Sequence, residues 1–277
     1  MFRLLGRAAR LAVVLAAAAS TARAAEAPPA AKPADPVPLA KRGALKAIVY
    51  LEKERPEFFS LDPKLPGFER EILESFAKAQ KLPLEVVEAA KWDALIPALL
   101  ENKGDVIAGH FTNTEERRAQ VDFTQALLPT RTVIVTRKPR PRVDTLKQLQ
   151  AIEKIGSVKG SATMEDLVAA GVPHANIDDS ITPNNMLDAL KTKKVGALAR
   201  SIPLAVLSQR DDPEIQLGIF LGAGSHFAFG VRKGDTVLRE ALNEHIELLR
   251  QSGQYNRLVA KYFGPSAVDI LKKAQTP

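Results

Sequence analysis

Short apolar runs alternate with longer stretches of helical periodicity from Leu45 onwards. This alternation is typical of βαβ units, in which helices cover a largely parallel sheet. We therefore predict an α/β fold with strands at 45–50, 84–88, 105–108, 132–136, 154–158, 195–199 and 227–231. Helices are predicted at 67–81, 92–102, 114–119, 163–170, 183–193, 202–208, 235–250 and 254–262.

Two positions divide this fold into lobes. The stretch Pro139-Arg140-Pro141-Arg142 interrupts the chain after the strand at 132–136, because proline fixes φ and restricts the residue before it. About ninety residues later, the strand at 227–231 precedes two further helices. A chain that leaves one lobe on a strand and returns on another has a two-stranded hinge, here expected near 133–137 and 227–231. One continuous doubly wound sheet is the alternative.

The N-terminal segment has the pattern of an export signal. Four arginines and no acid lie within residues 1–24, around an apolar run at 11–19 and the small-x-small site Ala22-Arg23-Ala24. This pattern predicts a cleavable signal peptide at 1–24, with an amphipathic surface helix as the alternative. The five prolines within residues 25–40 predict an extended linker.

Composition removes several kinds of chemistry. The 277 residues include no cysteine, which excludes disulfides, thiolate metal sites and a lipidated N-terminal cysteine. The net charge of +7 includes the four arginines of the signal segment, and the remaining basic residues do not alternate with aromatics, so we expect no nucleic-acid partner. Four scattered histidines lack the spacing of metal ligands, and we expect neither a metal nor another cofactor.

The densest polar segment, 109–117, follows the predicted strand at 105–108. Ligands of open α/β sheets bind beyond the carboxyl ends of strands. Arg117 is suited to bind both oxygens of a carboxylate, although an ion pair with Asp122 or Glu115 is equally open. His110 is either a donor in the pocket or an ordinary loop residue.

A second polar loop, 159–165, follows the predicted strand at 154–158. The N–H groups at the start of its helix favour an anion. Ser161 and Thr163 have the positions of helix caps, and capping is compatible with ligand binding.

Several motifs in this order resemble the bacterial extracellular solute-binding proteins of family 3, the periplasmic components of polar-amino-acid ABC transporters. They are WDALIPAL at 92–99, GDVIA at 104–108, TNTEER at 112–117 and VDFT at 121–124, supported by LPGFE at 65–69 and FGVRKGD at 229–235. The resemblance covers residues 43–264. It implies two lobes, 41–135 with 228–264 and 136–227, that close over a small solute, followed by a tail at 265–277.

The resemblance also implies roles for individual residues. Arg117 would hold the ligand's α-carboxylate, Thr112 and the backbone near Gly109 would add hydrogen bonds, and Trp92 would stack on the ligand unless it only fills the core. Ser161 and Ala162 would close from the other lobe. The implied partners are an amino acid or related carboxylate and a membrane permease, and we expect a periplasmic monomer without catalytic residues.

Departures from the family pattern concern the ligand's ammonium group. Ser201, beside Arg200, replaces the usual aspartate, and Arg55 replaces a common aromatic, while Glu52 remains a candidate ammonium partner. A hydroxyl cannot offset the desolvation of a buried ammonium. We therefore expect an acidic amino acid, or an organic acid without an α-amine, to bind better than lysine, arginine or histidine.

Two other functions fit the same resemblance. Periplasmic cyclohexadienyl dehydratases share this fold, and Glu165 and Asp166 are the acids nearest the second loop, although their first-turn positions also suit the helix dipole. A sensor or orphan binding protein without transport is the other alternative.

Overall fold

The computed structural model describes residues 38–53 and 55–264. The expected signal peptide at 1–24, residues 25–37 of the expected linker and the expected tail at 265–277 lie outside the described residues. Within them, no helix is long and apolar enough to cross a membrane.

The described residues contain strands and helices in an alternating order. The strands are β1 (Leu45–Val49), β2 (Leu84–Glu88), β3 (Val106–Ile107), β4 (Val121–Phe123), β5 (Leu128–Arg137), β6 (Ile155–Gly156), β7 (Ile177–Asp178), β8 (Ala197–Ser201), β9 (Ile215–Phe227) and β10 (Gly230–Arg232). The helices are α1 (Phe68–Ala79), α2 (Leu95–Leu100), α3 (Glu115–Gln120), α4 (Leu146–Gln150), α5 (Ala162–Ala169), α6 (Met186–Lys191), α7 (Ile202–Asp211), α8 (Thr236–Gln251) and α9 (Gln254–Phe263). Single 3-10 turns occur at Leu39–Lys41, Trp92–Ala94 and His174–Asn176.

The strands form two sheets, which confirms the α/β fold with two lobes. The first sheet has the order β2-β1-β3-β10-β4, with β1, β2 and β3 parallel and β10 antiparallel to its neighbours. The second has the order β7-β6-β8-β5-β9, with β6, β7 and β8 parallel and β5 antiparallel to β8 and β9. The single continuous sheet is therefore excluded.

Alternation along the central strands places apolar side chains on both faces of each sheet. In β1, Ala47 and Val49 pack with α1, whereas Ile48 packs on the opposite side with α2. In β5, Val133 and Ile134 likewise belong to different core clusters. Both faces are covered, as a largely parallel sheet requires.

The chain crosses between the sheets twice, after β4 and after β9. The crossings lie side by side, because Thr124 N donates to Phe229 O at 3.0 Å and Leu127 N donates to Phe227 O at 2.7 Å. The hinge expected at 227–231 agrees with the second crossing. The one expected at 133–137 is wrong, because those residues pair with β8 and β9 inside the second sheet.

The lobe boundaries follow from this pairing. The boundary expected at residue 135 falls within β5, all of which belongs to the second sheet. We propose instead that the first lobe comprises residues 38–123 and 230–264, and the second 128–227.

Candidate functional site

A cavity lies between the two sheets, at the carboxyl ends of their strands. Glu52 follows β1, His110 and Thr112 follow β3, Ser161 follows β6, and Ser201 ends β8. This is the edge at which open α/β sheets bind ligands. The remaining lining residues are Trp92, Val158, Ala162, Thr163, Pro183, Met186, Ala199, Arg200, Leu204 and Phe227.

A buried carboxylate holds the loop after β3. Glu69, in the first turn of α1, accepts hydrogen bonds from Gly109 N at 2.7 Å and His110 N at 2.8 Å. Both loop residues have positive φ, +91° at Gly109 and +53° at His110, and the latter is uncommon for a residue with a side chain. Burial raises the pKa of Glu69 to about 6. Gly109 does not line the cavity, and its N–H is bonded to Glu69.

Glu52 is the centre of a charged cluster in the cavity wall. Its Oε1 accepts from Arg200 Nη2 at 3.1 Å, across the two lobes, and its Oε2 lies 3.0 Å from His110 Nε2. Burial alone raises the pKa of Glu52, but the hydrogen bond with His110 and the charge of Arg200 outweigh it, so that this pKa lies below its usual value. Glu52 is therefore an ionised carboxylate whose two oxygens already have charged or polar partners.

Trp92 packs against the same cluster. Its ring is stacked on His110, with 4.9 Å between centroids and 18° between planes, and meets the edge of Tyr50 at 6.2 Å. One face of Trp92 is thus covered by a protein ring. Its indole N–H is buried and has no hydrogen-bond partner.

Arg117 lies beside the cavity and does not line it. The side chain is only 4% exposed, and it donates from Nη1 to Thr112 O and from Nη2 to Gly160 O, both at 2.9 Å. The bond to Gly160 joins the two lobes. Burial lowers the pKa of Arg117 to about 10, so it remains a cation at neutral pH.

The expected alternative of an ion pair is excluded for Arg117. Asp122 pairs with Arg239 instead, at 3.5 Å, and Arg117 forms no ion pair with any of the residues that the structure describes. A buried guanidinium without an ion pair is costly, because the Phe111 ring at 4.5 Å and the charges of Glu165 and Glu116 offset its desolvation only in part. The site therefore holds an unpaired positive charge next to Thr112 and Ser161.

The family model for bacterial extracellular solute-binding proteins, family 3, matches residues 48–265. The chain belongs to this family. Over 212 residues this family 3 protein is 30% identical to the "Probable histidine-binding protein" of Campylobacter jejuni, covering 75% of this chain and 80% of that one.

Two further comparisons concern the fold and the length of the match. The structure of an ancestral arginine-binding protein bound to glutamine is 26% identical, with a TM-score of 0.69, covering 80% of this chain and 99% of that one. The membrane-bound lytic murein transglycosylase F of Desulfosudis oleivorans is 25% identical over 81% of this chain, but the match spans only 49% of that protein.

The loop before α5, in the second lobe of this family 3 protein, both caps that helix and lines the cavity. Ser161 accepts from Met164 N at 3.3 Å and so caps α5, while its Oγ lies 2.9 Å from Thr163 Oγ1. Ala162 follows in the same wall. Ser201 also lines the cavity, and its buried Oγ has no hydrogen-bond partner.

Arg55 is not a cavity residue, contrary to expectation. It is 3% exposed and reaches the second lobe, where Nη1 pairs with Asp211 at 2.5 Å and Nη2 donates to Ser208 Oγ at 3.3 Å. Arg200, the neighbour of Ser201, does line the cavity.

Metal-binding groups are absent from the part of the chain that the structure describes. No three histidine, aspartate or glutamate side chains there lie close enough together to hold an ion.

Proposed function

We propose that this protein is an exported, monomeric binding protein that captures a small carboxylate, an amino acid or a close relative, between its lobes for uptake through an ABC-transporter permease. The observation that carries the proposal is the buried Arg117 without a carboxylate partner, beside a cavity to which both lobes contribute. A ligand carboxylate would supply the missing anion. The names of the relatives support an amino-acid class of ligand.

The ligand carboxylate would bind at the end of the cavity formed by Thr112 and Ser161. An arginine has five N–H donors, and only two hydrogen bonds of Arg117 are made to carbonyl oxygens. The rest of the ligand would extend toward Trp92, Ser201 and Arg200. Ser201 Oγ has no protein partner and is suited to bond a polar group there.

The charge of the cavity favours solutes that are not cations. Glu52 is the one carboxylate among the lining residues, and Arg200 balances its charge. A cationic side chain in this cavity would have no free anion opposite it, and its desolvation costs several kcal/mol in rough terms. We therefore propose that acidic amino acids and organic acids without an amine bind more tightly than lysine, arginine and histidine.

We propose binding without catalysis, since the acids nearest the cavity have partners within the protein. Asp166 accepts from Thr132 Oγ1 at 2.5 Å, and the charge of Arg117 acts on Glu165. Both acids line an adjoining cavity that shares Thr112, Ala162, Thr163 and Ser201 with the ligand cavity. Export to the periplasm is supported by the signal pattern at 1–24 and by the family. The permease partner is proposed from the family alone.

Calorimetric titration tests the ligand class. The protein would be titrated with glutamate, aspartate, glutamine, lysine, arginine, histidine, 2-oxoglutarate and succinate. We expect tight binding of an anionic or neutral member. Tight binding of a cationic amino acid, without response to the anions, would overturn the charge preference. Silence toward every amino acid and organic acid would overturn the proposed function.

A further inference from the structure

The second lobe carries a groove of about 610 Å³ whose charged lining residues are all basic. One wall is the end of β5 and the following loop, with Arg137, Lys138 and Arg140. The other is the end of α6 and the turn after it, with Lys191 and Lys193. The groove shares no lining residue with the ligand cavity.

Four of these five cations form no ion pair within the described part of the chain. Arg137 pairs with Asp212 at 2.9 Å, and the charge of Lys191 also acts on Asp212. Lys138, Arg140, Lys191 and Lys193 are exposed and form no ion pair with the described residues. Several like charges held at one place produce a strong positive potential, which attracts anions.

The walls of the groove are held in place by contacts of the backbone. A Cβ at Gly196 would lie 3.0 Å from the Arg140 guanidinium carbon, so this side chain packs directly on the bare backbone of Gly196. Gln216 Nε2 donates to Arg140 O at 2.7 Å, and Lys138 N donates to Glu214 O at 3.0 Å. The arginine is thus positioned to present its planar donors to a phosphate group.

We propose that this groove is the surface with which the protein associates with anionic phospholipid bilayers. Clusters of basic side chains bind anionic lipid headgroups through just this charge. A single sign of charge favours a lipid surface over a protein partner, because protein interfaces pair both signs to fix their register. Pro139 and Pro141 are exposed beside the cations and add apolar contact at the headgroup level.

Vesicle flotation tests the proposal with two matched triple variants. The groove variant is Lys138→Gln, Lys191→Gln and Lys193→Gln. The control is Lys64→Gln, Lys78→Gln and Lys81→Gln in the first lobe, which removes the same charge from exposed lysines without ion pairs. The two sets match in detail: Lys78 and Lys191 lie in the last turn of a helix, and Lys81 and Lys193 have φ of +57° and +61°.

We expect binding to phosphatidylcholine vesicles that contain phosphatidylglycerol, and none to phosphatidylcholine alone. The groove variant should bind about 100-fold more weakly, roughly fivefold for each lysine removed, and the control should retain its binding. Raising the salt to about 0.15 M should weaken the wild-type interaction. Equal melting temperatures of the two variants show that folding is not the cause.

Three outcomes would overturn the proposal. One is a control variant that loses as much binding as the groove variant, which would indicate a general effect of net charge. Another is the absence of binding to phosphatidylglycerol vesicles, whether or not the groove then proves to recognise an acidic protein. The third is that inorganic phosphate binds in the groove while the protein binds no vesicles. This result would assign the groove to free phosphate.

Discussion

At the scale of single residues, Arg117 is the proposed anchor of the ligand's carboxylate. It is a buried cation that bonds only to carbonyl oxygens. In Arg117→Ala we expect the ligand's affinity to fall by about 2–5 kcal/mol, because a carboxylate would be left buried and unpaired. Calorimetry measures the change. The exposed neighbour Arg118, replaced by alanine, is the control, and unchanged affinity in Arg117→Ala would contradict the role of an anchor.

Glu69 acts on the site through the backbone of the loop after β3. Its pKa of about 6 means that it takes up a proton as the pH falls through that value. A protonated carboxyl turns one oxygen into a donor, so one of the bonds from Gly109 N and His110 N is lost. We expect both amide proton resonances to move upfield with a midpoint near pH 6, and ligand affinity to decrease below it.

The stability of the fold changes with pH in the opposite direction to the ligand affinity. The pKa of Glu69 in the folded protein is above its ordinary value of 4.5, so the folded state binds the extra proton. Its contribution to the free energy of unfolding therefore rises as the pH falls from about 6 to 4.5. His110 and Tyr255 are the titratable groups that interact with Glu69. Amide shifts with a midpoint near pH 6 that persist in Glu69→Gln would show that Glu69 is not their cause.

The contacts that the sequence did not predict at this scale are those between distant parts of the chain. Arg117, Ser161 and Thr112 could be chosen because each follows a strand end and the motifs fix their order. The pairing of Arg200 with Glu52 and that of Glu69 with Gly109 could not be predicted, because these partners lie 148 and 40 residues apart in the chain. Only the pairing of the two lobes brings Arg200 to Glu52.

At the scale of elements, strands and helices with strong local patterns were predicted, and those that depend on distant pairing were not. The helix predicted at 67–81 is α1, because its apolar face repeats with helical spacing. The strand β9 was missed entirely. It contains three glycines and no alternating burial, and it is held by its pairing with β5. The same pairing moved the lobe boundary away from residue 135.

The ion pair between Arg55 of the first lobe and Asp211 of α7 provides a prediction at this scale. Arg55 pairs with Asp211 across the lobes but does not touch the cavity, so it stabilises closure and not the ligand itself. Asp211 is 43% exposed, and solvent screens the pair, which limits its contribution to about 1 kcal/mol.

Arg55→Gln should therefore raise the ligand's dissociation rate about fivefold. Trp92, the single tryptophan of the chain, lines the cavity, and its fluorescence measures the rate in stopped flow. Asp211→Asn should have the same effect, and the double variant should be no worse than either single one. Additive effects would mean that the two side chains act separately.

At the scale of the whole molecule, the two lobes are joined by adjacent crossings and by contacts across the cavity. Apart from the ties already described, Asn184 of the second lobe accepts from Lys53 N at 2.7 Å and donates to Tyr50 and Leu51, and Arg210 pairs with Glu57 at 2.9 Å. Most of these contacts are single polar bonds near the surface. Leu204 and Leu207 of α7 add apolar contact with the core of the first lobe. Contacts between lobes that are mainly polar permit relative motion, and such motion is expected here.

The balance between open and closed states then depends on Arg117. Closure without a ligand buries its charge without an ion pair to any described residue, and the charges of Glu165 and Glu116 offset this cost only in part, so the cost opposes the bonds between the lobes. A ligand carboxylate removes the cost only in the closed state, so binding shifts the population toward closure.

Small-angle scattering should show a smaller radius of gyration with saturating ligand than without. Because we propose the crossings at 124–127 and 228–229 as the bending points, the radius of each lobe should stay constant while the distance between them decreases. Superimposable curves at saturation would argue against a hinged clamp.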